Sequence, residues 1–391
     1  MKNFVCLLIA LGAWLMADAQ EIMVGMTDTA AYFPALKGRR VALLANRTSV
    51  AKLPNAEEEI HLVDLLHQRG FNLTAIFSPE HGFRGDADAG EAVANSTDPQ
   101  TGIPIRSLYN GRTHRPSDEA MRSFDVLVVD MQDVGLRFYT YYISMLRMMD
   151  ACADFGHKVI VLDRPNPNGH HIDGPILDMK YKSGVGALPI PVLHGLTMGE
   201  IARMAIGEGW AKACDLEVVA CRNYTHHKEY ILPIAPSPNL PTQQSIYLYA
   251  SLCPFEATPI SVGRGTDKPF EQFGHPDLFV RAMRVDLFTP MPKRGAKNPP
   301  LVNELCRGRN LRTMPLEDAR KMGFSLRYII EAYRDLCIGD KFFTPMFEKL
   351  VGVDYVRTMI EEDASEEEIR SRWTQEVEDY KLKRQQYLLY E

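Results

Sequence analysis

Four runs of apolar, largely β-branched residues in the first half of the chain most constrain its fold. They lie at 40–46 (RVALLAN), 73–77 (LTAIF), 125–130 (DVLVVD) and 158–163 (KVIVLD). Each run is continuous rather than alternating, which is typical of strands that are buried on both faces of a sheet. Such strands occur mainly in parallel sheets that helices cover on both sides, so the chain is expected to build one.

Helical patterns alternate with these runs. Residues 58–69 and 137–155 carry apolar side chains at helical spacing, and each segment stops at a glycine. Thr197 and Glu200 have the spacing of a capping box, which predicts the start of a third helix. Strand and helix in alternation predict an α/β fold with a doubly wound, mostly parallel sheet.

The second half of the chain is less regular and predicts a smaller α+β domain. Proline interrupts the segment 236–241 (PSPNLP), and 263–269 (GRGTDKP) has the composition of a loop. A capping box begins at Ser365, and apolar residues at helical spacing follow it, so a terminal helix is expected to pack one face onto the body. We place the domain boundary near residue 214, with a sheet domain over 20–214 and a C-terminal domain over 215–391.

Ionisable and amide side chains follow each of the four runs. Because the carboxyl ends of parallel strands meet at one edge of the sheet, ligands bind beyond that edge. A single polar loop is often merely solvated, but four loops that converge predict a binding cleft. The residues at these four strand ends are Asn46, Arg47 and Thr48; Ser78, Glu80, His81, Arg84, Asp86 and Asp88; Asp130, Gln132, Asp133 and Arg137; and Asp163, Arg164, Asn166, Asn168 and His170.

Several function classes lack their sequence signals. No G-x-G-x-x-G follows the first run and no G-x-x-x-x-G-K-[ST] occurs, so neither dinucleotide binding nor a P-loop is indicated. No G-x-S-x-G elbow is present, which disfavours a serine hydrolase of that type. The net charge of −6 argues against a nucleic-acid partner.

A metal site is one interpretation of the acids at this edge. The pairs Asp86 and Asp88, and Asp130 and Asp133, supply the oxygen ligands that a hard cation prefers. The same acids would otherwise cap helices or pair with nearby arginines (Arg84, Arg137 and Arg164). Since no cluster of histidines accompanies them, we favour the second interpretation and expect no metal and no cofactor.

Acid–base chemistry on a small substrate is the remaining interpretation, and Glu80 is its best candidate. It follows Pro79, which stiffens the approach, and precedes Gly82, which lets a ligand come close to the backbone. A glutamate near the apolar end of a strand can have its pKa raised by desolvation, as a general acid requires. A solvated loop acid is the alternative for Glu80.

The first residues indicate export. Lys2, an apolar run over 5–16 and the small-x-small site at 17–19 together predict a cleavable signal peptide over residues 1–19. No lipobox cysteine stands at the cleavage point and no later segment resembles a membrane span, so the periplasm is the expected location. Six cysteines follow the signal, and they are expected either as buried free thiols or with Cys214 paired to Cys221.

Nine ordered blocks from about Val41 onward together resemble the exo-acting β-N-acetylmuramidases of the NamZ family. They are FSPEHGFRGDADAG, TGIPIRSLYN, DVLVVDMQDVGLRFYTYYISM, VIVLDRPNPNG, DGPIL, PIPVLHGLTMGE, PSPNLPT, LYASLCPFEATPISVGRGTDKPFEQFG and YKLKRQQYLLY. The resemblance implies a Rossmann-like catalytic domain and a smaller C-terminal domain that covers one side of the cleft. It also implies release of terminal β-1,4-linked N-acetylmuramic acid from peptidoglycan fragments, with these saccharides or muropeptides as partners and no nucleic acid.

The resemblance also suggests roles for individual residues. The family's SPEHG glutamate falls on Glu80, the candidate general acid, and its FEGT glutamate falls on Glu256, where this chain reads FEAT with Ala257. Glu256, Asp133 and Asp130 are the candidates for the second catalytic role, unless the substrate's own acetamido group acts as nucleophile. The predicted substrate-binding residues are His81, Arg84, Asp130, Gln132, Arg137, Tyr139, Asn166, His194, Asn239, Arg264, Asp267 and Lys268.

Muramic acid carries a lactyl carboxylate, which gives the basic residues a specific purpose. Arg84, Arg137, Arg264 and Lys268 are the candidate partners of that group, since an arginine fork matches a carboxylate. Each of them would otherwise neutralise acids at the rim. Two further interpretations stay open from the sequence: a metal-dependent hydrolase that uses the Asp cluster, and a muropeptide-binding protein without turnover. Oligomeric state is not indicated.

Overall fold

The computed structural model describes residues 21–79, 83, 94–108, 115–279 and 285–391. Its largest sheet has seven strands in the order β5-β6-β4-β1-β7-β8-β9, and a three-stranded sheet has the order β10-β12-β11. The strands are β1 (Arg40–Ala45), β2 (Val50–Lys52), β3 (Glu59–His61), β4 (Asn72–Ser78), β5 (Ser96–Thr97), β6 (Pro104–Ser107), β7 (Val126–Asp130), β8 (Lys158–Leu162), β9 (Asp215–Val219), β10 (Gln272–His275), β11 (Asp286–Phe288) and β12 (Cys306–Asn310).

The predicted parallel sheet is confirmed. Strands β6, β4, β1, β7, β8 and β9 pair in parallel, and only the short β5 runs antiparallel to its neighbour. The chain builds outward from β1 in one direction through β4 and β6 and in the other through β7, β8 and β9. In doubly wound sheets this reversal opens a crevice at the carboxyl ends of the two central strands, here β1 and β7.

Burial on both faces explains why the strand runs are continuous. In β1, Ala42 and Leu44 pack into one apolar cluster, while Val41, Leu43 and Ala45 pack into a second cluster on the opposite face. Since successive strand side chains point to opposite faces, only an unbroken apolar run fills both clusters.

Twelve α-helices are found among the described residues. They are α1 (Thr29–Leu36), α2 (Leu62–Gln68), α3 (Asp118–Met121), α4 (Tyr141–Phe155), α5 (Met198–Gly207), α6 (Gln243–Leu252), α7 (Leu316–Met322), α8 (Arg327–Leu336), α9 (Met346–Val351), α10 (Tyr355–Glu361), α11 (Glu366–Ser371) and α12 (Thr374–Arg384). Both predicted capping boxes are present, at the starts of α5 and α11. None of the helices in the described part is long and apolar enough to span a membrane.

The second half of the chain contributes the antiparallel sheet and helices α6 to α12. Ile369, Trp373, Val377 and Tyr380 are buried in the same cluster as α4, as the helical spacing of the C-terminal segment predicts. The edge strand β9 begins at Asp215, next to the predicted domain boundary, which stays a prediction. The six cysteines after the N-terminal segment are free thiols.

Candidate active site

A narrow cavity of about 120 Å³ lies where the segment between β7 and α4 meets three segments of the second half. Four predicted site residues line it, namely Tyr139, Asn239, Glu256 and Arg264. Its other lining residues are Phe138, Thr140, Tyr141, Val185, Ser237, Leu240, Tyr249 and Phe270. The cavity therefore combines an aromatic wall with one acid, one base and one amide.

Two tyrosines fix the aromatic wall against the proline-rich segment. The hydroxyl groups of Tyr139 and Tyr141 both donate to the carbonyl oxygen of Pro236, at 3.0 and 3.1 Å. Their rings meet edge to face with centroids 4.7 Å apart. Asn239, from the same segment, donates from Nδ2 to the carbonyl oxygen of Gly295 at 2.8 Å. These contacts hold both halves of the chain together at the cavity.

Glu256 and Arg264 form an ion pair in the lining of the cavity. Nε of Arg264 donates to Oε1 of Glu256 at 2.6 Å, and the two side chains are 15% and 28% exposed. Burial lowers the pKa of Arg264, but the charge and the hydrogen bond of Glu256 outweigh burial and raise that pKa above its ordinary value. Arg264 therefore carries a permanent positive charge at the cavity wall.

Asp133 is a buried carboxyl group just beyond the end of β7. Its Oδ1 accepts a hydrogen bond from the backbone N–H of Gly135 at 2.8 Å, and its Oδ2 is buried without a partner among the described residues. Burial raises its pKa to about 7, although backbone N–H groups oppose that shift. Asp133 is not among the described residues that line the cavity, but a raised pKa suits a group that transfers a proton.

Asp130 and Gln132, both predicted binding residues, are engaged within the fold. Both carboxylate oxygens of Asp130 accept from Arg164, at 2.5 Å from Nε and 3.0 Å from Nη2, and both side chains are buried. Gln132 donates from Nε2 to the carbonyl oxygens of Asp133 and Pro165. These contacts connect the end of β7 and the segment after it to the segment that follows β8.

Three other predicted residues are also held by the protein itself. Arg137 is fully buried and donates to the carbonyl oxygens of Pro175, Ile190 and Leu350 at 2.6 to 2.9 Å. Asn166 donates from Nδ2 to the carbonyl oxygen of Leu196. His194 is buried, accepts from the N–H of Leu196 at Nδ1, and has its pKa lowered to about 3 by burial.

Two predicted residues lie on the surface near the loop that carries Arg264. Asp267 pairs with Lys293, and its side chain is 88% exposed. Nζ of Lys268 lies 3.9 Å from Oδ2 of Asp286. Neither residue lines the cavity.

Glu80, His81 and Arg84 lie outside the described residues, as do Asp86 and Asp88. Strand β4 ends at Ser78, two residues before Glu80 in the sequence. Among the described residues, no three histidine, cysteine or acidic side chains are grouped so as to hold a metal ion.

Sequence reasoning missed several aromatic residues of the cavity, among them Tyr249 and Phe270. The rings of these two residues meet edge to face with centroids 4.7 Å apart. Tyr249 lies within α6 and resembles an ordinary core residue in the sequence. Phe270 follows the glycine-rich loop and has a positive φ of 58°, which the sequence pattern does not signal.

Comparison with known proteins covers nearly the whole chain. The family described as exo-β-N-acetylmuramidase NamZ matches with its N-terminal part over residues 41–244 and its C-terminal part over 247–390. The peptidoglycan β-N-acetylmuramidase NamZ of Bacillus subtilis (strain 168) is 38% identical over an alignment of 379 residues, and the match covers 92% of this chain and 89% of that protein.

Two solved structures from Bacteroides fragilis NCTC 9343, both of DUF1343 family proteins, share the fold. One is 52% identical with a TM-score of 0.86, and the other is 29% identical with a TM-score of 0.79. Each alignment covers 95% of this chain and 99% of the solved chain. The chain belongs to the NamZ family of exo-β-N-acetylmuramidases.

Proposed function

We propose that this chain is a glycosidase that releases terminal β-1,4-linked N-acetylmuramic acid from peptidoglycan fragments. The match of both family parts and the name of the Bacillus subtilis relative support this activity. The observation that carries it is the cavity, because Tyr139 from the sheet domain and Glu256 and Arg264 from the second half line one narrow space. Aromatic rings beside hydrogen-bonding groups suit a sugar, which has apolar ring faces and polar edges.

Glu80 is proposed as the general acid that protonates the leaving oxygen. Glycoside hydrolysis uses such an acid together with a second group at the anomeric centre. Strand β1 separates β4, which leads to Glu80, from β7, which leads to Asp133. At the usual strand spacing the ends of β4 and β7 are about 10 Å apart, within the span of one sugar and two carboxyl groups. Asp133, whose Oδ2 is buried without a partner among the described residues, is the proposed second carboxyl group.

Product analysis tests this function. The protein is incubated with a defined GlcNAc–MurNAc oligomer, and chromatography follows which terminal sugar is released. We expect free N-acetylmuramic acid from the wild type and a loss of at least about 100-fold in kcat/KM for Glu80→Gln. Glu57→Gln, which alters an exposed acid elsewhere, is the matched control and should keep full activity. Full activity in Glu80→Gln would remove Glu80 from the chemistry.

A chelator separates this function from a metal-dependent hydrolase. The glycosidase chemistry runs on carboxyl groups, so we expect EDTA to leave the release of N-acetylmuramic acid unchanged. Loss of activity with EDTA and its return with a divalent cation would favour the Asp cluster instead. Binding of the oligomer without release of a sugar would indicate a muropeptide-binding protein.

We propose that residues 1–19 direct export and are removed, so that the enzyme acts on cell-wall fragments in the periplasm. The charged start, the apolar run and the small-x-small site support this location. Cell fractionation and N-terminal sequencing test it, with a mature start near Gln20 expected. A cytoplasmic protein that keeps its first residues would contradict the proposal.

A further inference from the structure

Arg264 is a cation in the lining of the cavity, and it lies in a rigid loop. Gly263 and Gly265 on either side have φ of 79° and 80°, a left-handed conformation that favours glycine. A Cβ atom at Gly263 would lie 2.7 Å from the carbonyl oxygen of Lys268, and one at Gly265 would lie 2.6 Å from that of Met291. The close backbone contacts therefore need both glycines, and they fix the position of Arg264.

Two neighbours also fix the direction of the guanidinium group. Glu256 accepts from Nε at 2.6 Å, and the guanidinium carbon lies 5.2 Å from the centroid of the Phe270 ring. Phe270 is fully buried, and Tyr249 packs against its ring. Its positive φ of 58° is unfavourable for a bulky residue, so the surrounding structure holds it in place.

This arrangement leaves one edge of the guanidinium group for a ligand. Glu256 takes Nε, and within the part of the chain that the structure describes no group accepts a hydrogen bond from Nη1 or Nη2. The side chain is only 15% exposed. The two Nη donors match the spacing of the two oxygens of a carboxylate.

We propose that Arg264 binds the lactyl carboxylate of N-acetylmuramic acid and so distinguishes this sugar from N-acetylglucosamine. Glu256 is then a positioning residue, because its carboxylate holds Nε and turns the Nη edge toward the cavity. This inference rests on the proposed function. Among the described candidates it selects Arg264, since Arg137 donates to three buried carbonyl groups and Lys268 does not line the cavity.

A binding comparison tests Arg264. Calorimetry measures the affinity for free N-acetylmuramic acid and for its methyl ester, which keeps the shape of the lactyl group but removes its charge. The wild type is expected to bind the acid about 10-fold or more tightly than the ester. Arg264→Gln should lose about 10- to 100-fold of its affinity for the acid and bind both ligands alike. Arg264→Lys should keep part of the preference, since it keeps the charge without the fork.

Arg334→Gln is the matched control. Nε of Arg334 donates to Oδ1 of Asp363 at 2.7 Å, much as Arg264 donates to Glu256, but Arg334 does not line the cavity. This variant should keep the wild-type preference for the acid. Circular dichroism confirms that each variant is folded. A folded Arg264→Gln that keeps the wild-type preference, or a wild type without any preference, would overturn the inference.

Steady-state kinetics with a chromogenic β-N-acetylmuramide tests the positioning role of Glu256. In Glu256→Gln we expect KM to rise about 10-fold while kcat changes by less than about 3-fold, because ground-state and transition-state binding weaken together. A fall of about 1,000-fold in kcat at unchanged KM would make Glu256 a catalytic residue and overturn its positioning role.

The binding assay also separates the two proposals. It uses a free sugar and needs no bond cleavage, so it reports on Arg264 whether or not the protein turns over. A wild type that releases no N-acetylmuramic acid from the oligomer, yet loses its preference for the acid in Arg264→Gln, refutes the proposed function and supports the carboxylate site. Turnover with an unchanged preference in Arg264→Gln refutes the site alone.

Discussion

At the scale of single residues, the burial of Asp133 predicts a measurable dependence of stability on pH. The folded protein raises the pKa of this carboxyl group from 3.8 to about 7. Between these pH values the folded protein keeps a proton that the unfolded chain loses. The contribution of Asp133 to the free energy of unfolding is therefore present below pH 4 and is lost as the pH rises toward 7. Asp133→Asn cannot ionise, so it should gain up to about 4 kcal/mol relative to the wild type across this interval.

Urea unfolding from pH 4 to pH 7.5 measures this difference. Asp125→Asn is the control, since Arg40 lowers the pKa of Asp125 to about 2 and the group stays ionised over the whole interval. A constant difference between Asp133→Asn and the wild type at every pH would show that Asp133 ionises normally. Burial of Asp163 raises its pKa to about 6, which gives the wild type and Asp133→Asn the same additional slope.

The sequence indicates which residues lie at the edge of the sheet that carries the site. It does not indicate which groups each of these residues contacts. Asp130 and Asp133 follow the same strand, and the sequence offered both as catalytic carboxyl groups. In the structure Asp130 pairs with Arg164, whereas Oδ2 of Asp133 has no partner among the described residues. Strand direction, which the sequence reveals, brings residues to an edge, but side-chain direction and burial decide which of them pair.

At the scale of elements, the segment after α12 completes the hydrogen bonding of the sheet domain. The hydroxyl group of Tyr390 donates to Oδ2 of Asp163 at 2.7 Å and accepts from the N–H of Cys221 at 2.8 Å. Tyr390→Phe leaves both buried groups without this partner, so we expect a loss of about 1 to 3 kcal/mol. Thermal unfolding measures the loss, and Tyr387→Phe, whose hydroxyl contacts Glu208, should cost less because that pair is more exposed.

An unchanged melting temperature in Tyr390→Phe would show that water or a rearranged side chain satisfies Asp163.

The strands of this domain illustrate what the sequence can predict. β1, β4, β7 and β8 each coincide with a mainly apolar run and are predicted by the sequence, whereas β6 and β9 are not. β9 lies at the sheet edge, where three of its five residues are half-buried and one is exposed, so it lacks a continuous apolar run.

At the scale of the whole molecule, Arg137 joins the two halves of the chain. It donates to the carbonyl oxygens of Pro175 and Ile190 in the first half and of Leu350 in α9. Arg137→Met has a similar length but no donors, so three buried carbonyl groups lose partners and we expect a loss of about 3 kcal/mol or more. Chemical denaturation measures it. Arg357→Met, which breaks a partly exposed pair with Glu361, should lose less than about 1 kcal/mol.

An Arg137→Met protein that is as stable as the wild type but no longer binds N-acetylmuramic acid would instead support the substrate-binding role predicted from the sequence.

The sequence could not distinguish a structural role of Arg137 from a substrate-binding role. The carbonyl groups that accept from Arg137 lie 38, 53 and 213 residues away along the chain. Backbone acceptors leave no trace in residue identity, so no sequence pattern signals this contact.

The contact of Tyr390 with Asp163 has a consequence for biosynthesis. The two residues are 227 positions apart, so Asp163, which follows β8, leaves the ribosome long before Tyr390. Until translation reaches Tyr390, the carboxyl group of Asp163 has only its contacts with Thr197 and Gly199 among the described residues, and the N–H of Cys221 lacks the tyrosine hydroxyl. We therefore expect the nascent sheet domain to be less resistant to proteases than the finished protein. Late closure of this kind is compatible with the proposed export, because an exported chain crosses a secretion channel unfolded.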